Sequence, residues 1–372
     1  MIDIDLIAGA RPNFMKIAPI IHAIHNWNQH NGINIKYRLI HTGQHYDKNM
    51  SDVFFEELNI PTPDVNLNAG SGTQAEQTAQ IMLGYESLLL SEKSKICLVV
   101  GDVTSTLACS IVAKKQQVML VHVEAGLRSY DRTMPEEINR VVTDSITDLF
   151  FTTTQEATDI LLNEGVNKDA IFLVGNTMID TLIANLPKLR EPKDLANAEL
   201  ASNKFILVTL HRPSNVDAPD KLINILNVIA ANTQNLPLVF PIHPRTKKVL
   251  DAVGYHNNRF IYTQPLPYQE FMYLVKNCKA VITDSGGVTE ETTVLGKPCL
   301  TLRTTTERPE TVTIGTNVLV GDNPHALIAP LFDLMNNMWK QGDIPNMWDG
   351  NASNRIVNIL VKFIASGKNE NS

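Results

Sequence analysis

Apolar residues along this chain gather in short runs, and each run is followed by a helical pattern. Residues 118–123 read VMLVHV, which has the continuous apolar, β-branched character of a strand buried on both faces. Comparable runs occupy residues 4–8, 35–41, 95–100 and 148–152. This alternation of strands and helices predicts a parallel sheet with helices on both faces.

A charged, strand-poor stretch at residues 176–203 interrupts the pattern, which then resumes. A chain of 372 residues is also too long for one ordinary core. We therefore expect an α/β protein with two Rossmann-like domains that face each other across a cleft. The expected domains are residues 1–175 and 176–351, and a C-terminal helix at 352–368 packs back on the first. Strands of the second domain are predicted at residues 205–210, 237–240, 280–283 and 298–302.

Acidic residues follow the predicted strands of the first domain. Glu124 stands at the tip of the strand 118–123, and Asp102 follows the strand 95–100. Pro135, at a first helical position, is followed by Glu136 and Glu137. Because ligands of open α/β sheets bind at the carboxyl ends of strands, these acids could face one crevice. The alternative roles are structural: a helix cap for Asp102, an ion pair with a neighbouring arginine for Glu124, and dipole stabilisation for the other two.

Candidate anion sites occur in both halves. Arg11 and Lys16 flank the start of the first helix, where free N–H groups favour a phosphate or carboxylate, although both could also be solvated cations. In the second half, a turn that can present backbone amides follows a strand and opens a helix, and Arg308 could form a fork on a diphosphate. The strand ends of the second half carry these candidates: His211, Arg212, Ser285, Gly286, Gly287 and Glu291.

Composition narrows the classes of function. A formal net charge of -7 argues against a nucleic-acid partner. The four cysteines are isolated, which predicts buried reduced thiols in a cytoplasmic protein and no zinc site or other metal. No run reaches the ~18 apolar residues of a membrane span. Since neither GxGxxG nor GxxxxGK[ST] opens a domain, NAD and P-loop chemistry are disfavoured, and we expect no cofactor.

Acids in the first half and phosphate-binding groups in the second together suggest a nucleotide sugar as the substrate. Seven ordered motifs support this: GARPNFMKIAPI, TGQHYD, GDVTSTL, HVEAGLRS with PEEINR, LHRPSN, DSGGVTEE and TTERPET. In this order they resemble the non-hydrolysing UDP-N-acetylglucosamine 2-epimerase family over residues 4–320. The resemblance implies a glycosyltransferase-B-like homodimer that interconverts UDP-GlcNAc and UDP-ManNAc without added cofactor and supplies ManNAc units for surface polysaccharide.

The resemblance also implies roles for the motif residues. Asp102, Glu124 and Glu136 would be the catalytic acids, and His211 would contribute to catalysis and diphosphate binding. Glu291 would hold the ribose hydroxyls. Further substrate-binding residues would be Arg11, Lys16, Gln44, Arg128, Arg212, Ser285, Gly286, Gly287 and Arg308.

Two departures from the family pattern limit these implications. The segment SYDRTMPEE is shorter than in many members, so the loop that carries Glu136 is shorter. Some members bind a second UDP-GlcNAc as an activator, but the matching region AGSGTQAEQT lacks the arginine used there, which leaves activation open. Other readings are a 2-epimerase of a UDP-L-hexosamine or UDP-diacetamido-uronate, a glycosyltransferase of the same fold, and a binding protein without catalysis.

Overall fold

The computed structural model describes residues 2–32, 34–43, 55, 57–198 and 200–366, and the chain divides into two compact units. The first unit comprises Met1–Ile183 with Asn346–Ser372, and the second comprises Ala184–Pro345. The division falls near the end of the helix Thr177–Asn185 rather than before it. That helix is tied to the first unit because the Thr181 hydroxyl donates to the Met15 carbonyl oxygen at 2.5 Å.

A seven-stranded parallel sheet forms the centre of the first unit. Its strands are β1 (Ile2–Ala8), β2 (Tyr37–His41), β3 (Val65–Asn66), β4 (Ser94–Val100), β5 (Met119–Val123), β6 (Leu149–Thr152) and β7 (Ile171–Leu173). The described helices of this unit are α1 (Arg11–His30), α2 (Gln74–Ser91), α3 (Thr104–Lys115), α4 (Pro135–Ile146), α5 (Gln155–Asn163), α6 (Thr177–Asn185) and, at its C-terminal end, α14 (Ala352–Ser366).

The strand order is β3-β2-β1-β4-β5-β6-β7, and the pairs are parallel. The chain therefore winds outward in two directions from β1 and β4, which is the topology of a doubly wound fold. One core packs apolar residues of β4 and β5 against α2 and α3, with Tyr85 and Val99 both wholly buried. In the β4–β5 register Val100 pairs with Val123, so Gly101 and Glu124 leave the sheet side by side.

The second unit repeats this plan with six parallel strands in the order β10-β9-β8-β11-β12-β13. Its strands are β8 (Ile206–Thr209), β9 (Leu238–Pro241), β10 (Phe260–Thr263), β11 (Ala280–Thr283), β12 (Cys299–Thr301) and β13 (Asn317–Leu319). Its described α-helices are α7 (Pro213–Val216), α8 (Pro219–Ala231), α9 (Pro244–Ala252), α10 (Tyr268–Asn277), α11 (Gly286–Val294), α12 (Pro309–Thr313) and α13 (Ile328–Met335). Short 3-10 helices lie at Lys168–Ala170, Leu186–Lys188, Lys193–Ala198 and Pro324–Leu327.

Both units are thus parallel α/β layers, as the alternating pattern predicts. All four cysteines are buried and have free thiols. Across the part of the chain that the structure describes, no helix combines the length and apolarity needed to cross a membrane.

The start of α14 receives its cap from another helix of the first unit. Asp180, on α6, accepts the backbone N–H groups of Ala352 at 3.1 Å and Ser353 at 2.7 Å. These two donors have no partner within their own helix, and a carboxylate is favoured at a helix N-terminus. Asp180 therefore fastens the C-terminal helix to the unit formed by the first half of the chain.

Replacing Asp180 by alanine should loosen α14, because two buried N–H groups lose their acceptor. We expect a loss of about 1–3 kcal/mol of local stability, seen as faster hydrogen–deuterium exchange in residues 352–366. Asp159→Ala, at an exposed position on α5, is the matched control and should leave that exchange unchanged. Equal exchange in the Asp180 variant and the wild type would contradict the assignment.

Candidate active site

Glu124 and the β4–α3 turn form the centre of the candidate site in the first unit. Glu124 has a left-handed backbone with φ of 70° and a side chain that is 2% exposed. A non-glycine residue in this conformation costs of the order of 1–3 kcal/mol and is found most often at functional sites. Its N–H donates to the Phe151 carbonyl oxygen at 3.0 Å, which fixes the turn at the tip of β5.

Lys16 reaches this carboxylate from α1. Its Nζ donates to the Glu124 Oε2 at 2.6 Å, and both side chains are largely buried. Gly101 has φ of 66°, and a Cβ added there would lie 3.2 Å from the lysine Nζ and 3.7 Å from Oε2. The turn before Asp102 is thus packed directly against the ion pair. Lys16, expected on a phosphate, is bonded here to one of the predicted acids.

Arg140 connects the Asp102 side chain to α4. Its Nε donates to Asp102 Oδ2 at 3.0 Å, and its Nη1 donates to Glu137 Oε2 at 2.5 Å. Glu137 is buried and also accepts the backbone N–H groups of Ser129 and Tyr130, each at 2.9 Å. Glu137 therefore holds the loop between β5 and α4. Arg140 was not among the predicted site residues, although the spacing of three between Glu137 and Arg140 on a helix was a possible signal.

Glu136 lies in the first turn of α4, directly after Pro135, where the sequence predicts a helix start. Its side chain is exposed. Neighbouring glutamates thus have different surroundings: one is buried in loop contacts, and the other faces solvent. Of these two glutamates, Glu136 is the one whose carboxylate is accessible to solvent.

Arg128 is a buried arginine that pairs with a buried aspartate on one side and with a surface glutamate on the other. Its Nη1 donates to Asp144 Oδ2 at 2.6 Å, and its Nη2 donates to Glu164 Oε2 at 2.6 Å. The residue is 5% exposed. The guanidinium expected on a substrate is therefore engaged within the protein, and its position supports the loop instead.

In the second unit, Asp284 organises the turn that follows β8. It is wholly buried and accepts backbone N–H groups from His211 at 3.1 Å and Arg212 at 3.0 Å, with a longer contact from the Asn215 amide at 3.3 Å. His211 Nδ1 lies 2.9 Å from Asp284 Oδ1. Burial by itself raises the pKa of Asp284, but the hydrogen bond and charge of His211 lower it.

The ionised aspartate therefore accepts a hydrogen bond from the Nδ1–H group of His211. A carboxylate on one ring nitrogen fixes the tautomer and leaves Nε2 for proton transfer or anion contact. The imidazole is partly exposed, with 40% of its side-chain surface accessible. Asp284 and Asn215 were not predicted as site residues.

The predicted Gly-rich turn lies at the start of α11. Ser285 and the two glycines after it are partly exposed at this helix N-terminus. A Cβ on Gly286 would lie 2.6 Å from Glu307 Oε1, so this position has no room for a side chain. The turn thus combines close packing on one side with free N–H groups of the kind that bind anions.

Arg308 and Glu291 lie beside this turn and are both buried. The Arg308 Nε is 2.9 Å from Glu290 Oε1. The Tyr268 hydroxyl donates to Glu291 Oε1 at 2.9 Å. Burial raises the pKa of Glu291 to about 8, and the charge of Glu290 adds to the shift.

Arg212 is half-buried beside His211. Gln44 and the side chain of Arg11 lie outside the described residues. The structure thus groups the predicted acids Asp102 and Glu124 with Lys16 in the first unit. It groups His211, Arg212, the Gly-rich turn, Glu291 and Arg308 in the second.

This fold and these groups define an α/β enzyme with acid–base side chains and a helix N-terminus suited to an anion. The profile of the UDP-N-acetylglucosamine 2-epimerase family matches residues 27–361. The chain belongs to this family.

Three relatives illustrate the similarity. The UDP-N-acetylglucosamine 2-epimerase of Methanocaldococcus jannaschii is 43% identical over 370 residues, which are 96% of this chain and 98% of that protein. A crystal structure of the UDP-GlcNAc 2-epimerase from the same organism, in complex with UDP-GlcNAc and UDP, matches with a TM-score of 0.85 at 42% identity and covers 97% of this chain and 100% of that chain. The UDP-2,3-diacetamido-2,3-dideoxy-D-glucuronate 2-epimerase of Pseudomonas aeruginosa is 40% identical over 362 residues, 96% of this chain and 99% of that protein.

The raised pKa of Glu291 has a consequence for stability. Between its ordinary pKa of 4.5 and about 8, the unfolded chain releases this proton while the folded chain keeps it, so stability falls as pH rises through that window. Glu291→Gln removes the effect. The variant should gain stability relative to wild type from pH 5 to pH 8.5, by an amount of the order of 4 kcal/mol.

Calorimetric unfolding temperatures at several pH values would measure this gain. Asp251→Asn is the control, since that exposed carboxylate pairs only loosely with Lys247 on the surface and its replacement should give a small difference. A difference between Glu291→Gln and wild type that does not change with pH would contradict the prediction.

Proposed function

We propose that this chain is a UDP-N-acetylglucosamine 2-epimerase, an isomerase that interconverts UDP-GlcNAc and UDP-ManNAc. The observation that carries the proposal is the buried Glu124 in a left-handed turn, bonded to Lys16 and packed against the Gly101–Asp102 turn. Two carboxylates at adjacent strand tips, with a helix N-terminus for a phosphate elsewhere in the chain, suit acid–base chemistry on a nucleotide sugar.

The chemistry follows from the substrate. The proton on C2 of such a sugar is not next to a carbonyl, so its removal alone gives no stabilised anion. If a carboxylate takes that proton while the C1–O bond breaks, UDP leaves with the bonding electron pair and a 2-acetamidoglucal forms. Addition of UDP back to C1, with return of a proton to the opposite face of C2, inverts the centre. The reaction needs no oxidant, metal or other co-reactant to balance.

The site residues take roles in this scheme. Asp102, Glu124 and Glu136 supply the acid and base groups, and His211, oriented by Asp284, acts near the leaving diphosphate. Glu291 takes the ribose hydroxyls. Groups for the diphosphate, where charge develops as the C1–O bond breaks, are Arg11, Lys16, Arg212, Ser285, Gly286, Gly287 and Arg308.

The protein would act as a cytoplasmic homodimer and supply ManNAc units for surface polysaccharide. Leu83 and Leu90 support a second copy as partner, because they lie on one face of α2 and are 62% and 71% exposed. The four unbonded cysteines support a reducing compartment.

A related substrate is the second candidate. The Pseudomonas aeruginosa relative is a 2-epimerase of a diacetamido-uronate, and its identity to this chain is nearly that of the Methanocaldococcus jannaschii enzyme. Incubation with each UDP-sugar in turn, followed by proton NMR, separates the two candidates. Formation of a new nucleotide sugar from UDP-GlcNAc supports the proposal, and its formation from the UDP-diacetamido-uronate alone supports the second candidate. A glycosyltransferase would need an acceptor to consume either sugar.

In deuterated water, the epimerised sugar should carry deuterium at C2, because the proton added back comes from a solvent-exchanged carboxyl group. Proton NMR of UDP-GlcNAc incubated with the enzyme would follow this, together with slow release of UDP. Retention of the original hydrogen at C2 would point to a redox route and contradict the elimination mechanism.

Replacing the acids one at a time should lower turnover. Asp102→Asn, Glu124→Gln and Glu136→Gln keep the shape of each side chain but remove a proton acceptor, so we expect losses of ~10²-fold or more in kcat. UDP affinity, measured by calorimetry, should change little. The control is Glu156→Gln, an exposed acid in the first turn of α5. Full activity in all three variants would rule out the proposed roles.

A further inference from the structure

His122 lies on β5, two residues before Glu124, and is wholly buried. Its ring contacts two segments that carry predicted acids. Nδ1 is 2.7 Å from Asp144 Oδ1 on α4, and Nε2 is 2.8 Å from the Gly101 carbonyl oxygen. A single side chain therefore connects the β4–α3 turn to α4, the helix whose first turn carries Glu136.

The contact with Gly101 requires the ring to donate. A carbonyl oxygen can only accept, so Nε2 carries a proton. Asp144 Oδ2, the oxygen that does not face His122, accepts the Gly126 N–H at 3.1 Å and Arg128 Nη1 at 2.6 Å. Burial by itself raises the pKa of Asp144, but its contacts with His122 and Arg128 hold that pKa below its ordinary value. The ring therefore bridges the Asp144 carboxyl group and the backbone carbonyl oxygen of Gly101.

Asp144 is also held from its other side. Arg128 pairs with Asp144 and with Glu164, and Glu164 lies at the surface with 43% of its side chain exposed. The His122 ring and the Arg128 guanidinium therefore fix the Asp144 carboxyl group from two directions.

The Gly101 carbonyl belongs to the peptide unit that joins Gly101 to Asp102. Its hydrogen bond therefore fixes the peptide plane that precedes the acid. Asn139 donates to the carbonyl oxygen of Asp102 at 2.8 Å, and Arg140 donates to its carboxylate. Asp102 is thus held at the peptide unit before it, at its own carbonyl oxygen and at its carboxylate. The contact at the preceding peptide unit is made by His122.

We propose that His122 is a positioning residue, which through its hydrogen bonds to the Gly101 carbonyl oxygen and to Asp144 sets the orientation of Asp102 relative to Glu124 and α4. The inference rests on the proposed function, since it concerns how the acids are aligned for that reaction. His122 acts through the peptide unit before Asp102 rather than by contact with the substrate.

Two substitutions separate its two hydrogen bonds. His122→Gln places an amide nitrogen near the position of Nε2 and can keep the bond to Gly101, but it loses the bond to Asp144. His122→Asn places its amide near Nδ1 and keeps Asp144 but leaves the Gly101 carbonyl without a donor. We expect kcat to fall less than ~10-fold in the glutamine variant and ~10- to 100-fold in the asparagine variant, as for residues that orient catalytic groups. KM should stay within ~3-fold in both, because most of the proposed diphosphate groups lie on the second unit and the His122 ring bonds to Asp144 and Gly101 rather than to any of these groups.

A purely structural role predicts a different result. Each variant loses one buried hydrogen bond, so their unfolding temperatures should fall together, and activity would then fall equally in both. Equal losses in kcat, a larger loss in the glutamine variant, or a change confined to KM would overturn the inference. If the wild-type chain epimerises no UDP-sugar, the proposed function fails and this inference fails with it. If the wild type is active but both variants lose kcat equally, only this inference fails.

The hydrogen bond to Gly101 can be tested without any variant. In a ¹H–¹⁵N spectrum of histidine-labelled wild-type protein, Nε2 of His122 should appear protonated, because the Gly101 carbonyl oxygen can only accept. A spectrum in which Nε2 of His122 carries no proton would overturn the inference, even if neither variant folds.

Discussion

The parallel pairing of β4 with β5 is the constraint on which the candidate site depends. β4 is followed by α3 and β5 by α4, and each of these helices returns the chain to the other end of the sheet, so successive strands run the same way. Val100 pairs with Val123, and both strands end at this level. The turn of Gly101 and the turn of Glu124 then have to share one edge. In the second unit, Thr209 pairs with Thr283 in the same way, and Asp284 and His211 meet just beyond that pair.

Several charged side chains at these edges are buried in pairs. Glu124 has Lys16, Asp144 has His122 and Arg128, and Glu290 has Arg308. Such pairs add little net stability compared with an apolar core, but removal of one partner leaves an uncompensated charge at a large cost. Glu291 differs. Burial raises the pKa of its carboxyl group to about 8 and the charge of Glu290 adds to the rise, although the hydrogen bond from the Tyr268 hydroxyl lowers it.

The sequence was sufficient to predict the interior of both sheets but not their edges. Predicted runs at residues 95–100, 118–123 and 280–283 coincide with β4, β5 and β11, which are apolar and almost wholly buried. The strands β3, β7, β10 and β13, which lie at the ends of the two sheets, were not predicted. They are two to four residues long, and most of their positions are only half-buried. A short strand with one neighbour needs no continuous apolar run, so its sequence carries little signal.

The same distinction applies to the site. Residues at strand tips could be found from the pattern, since a parallel sheet brings its carboxyl ends together. Their supports were harder to find: Asp144 and Asp284 act through contacts between segments far apart in the chain, and local periodicity contains no record of them. Arg140 also makes a long-range contact, with Asp102, and its spacing of three from Glu137 on α4 was the one local signal for it. Arg128 illustrates the converse. An arginine in a candidate loop reads as a ligand group, but the fold places two carboxylates against it first.

The backbone of Glu124 bears on why a carboxylate stands at the tip of β5. Glycine adopts a left-handed conformation without the steric cost that a Cβ brings, and the neighbouring Gly101 and Gly126 do so here. At Glu124 the chain accepts that cost and also buries an ionised group, which then requires Lys16 as a counter-charge. Neither the left-handed backbone nor the buried charge improves packing, since a glycine at this position would have neither the steric cost of a Cβ nor a carboxylate to bury. A residue that lowers stability twice, at the edge where a doubly wound sheet binds its ligands, is best explained by what its carboxylate does there rather than by the fold it belongs to.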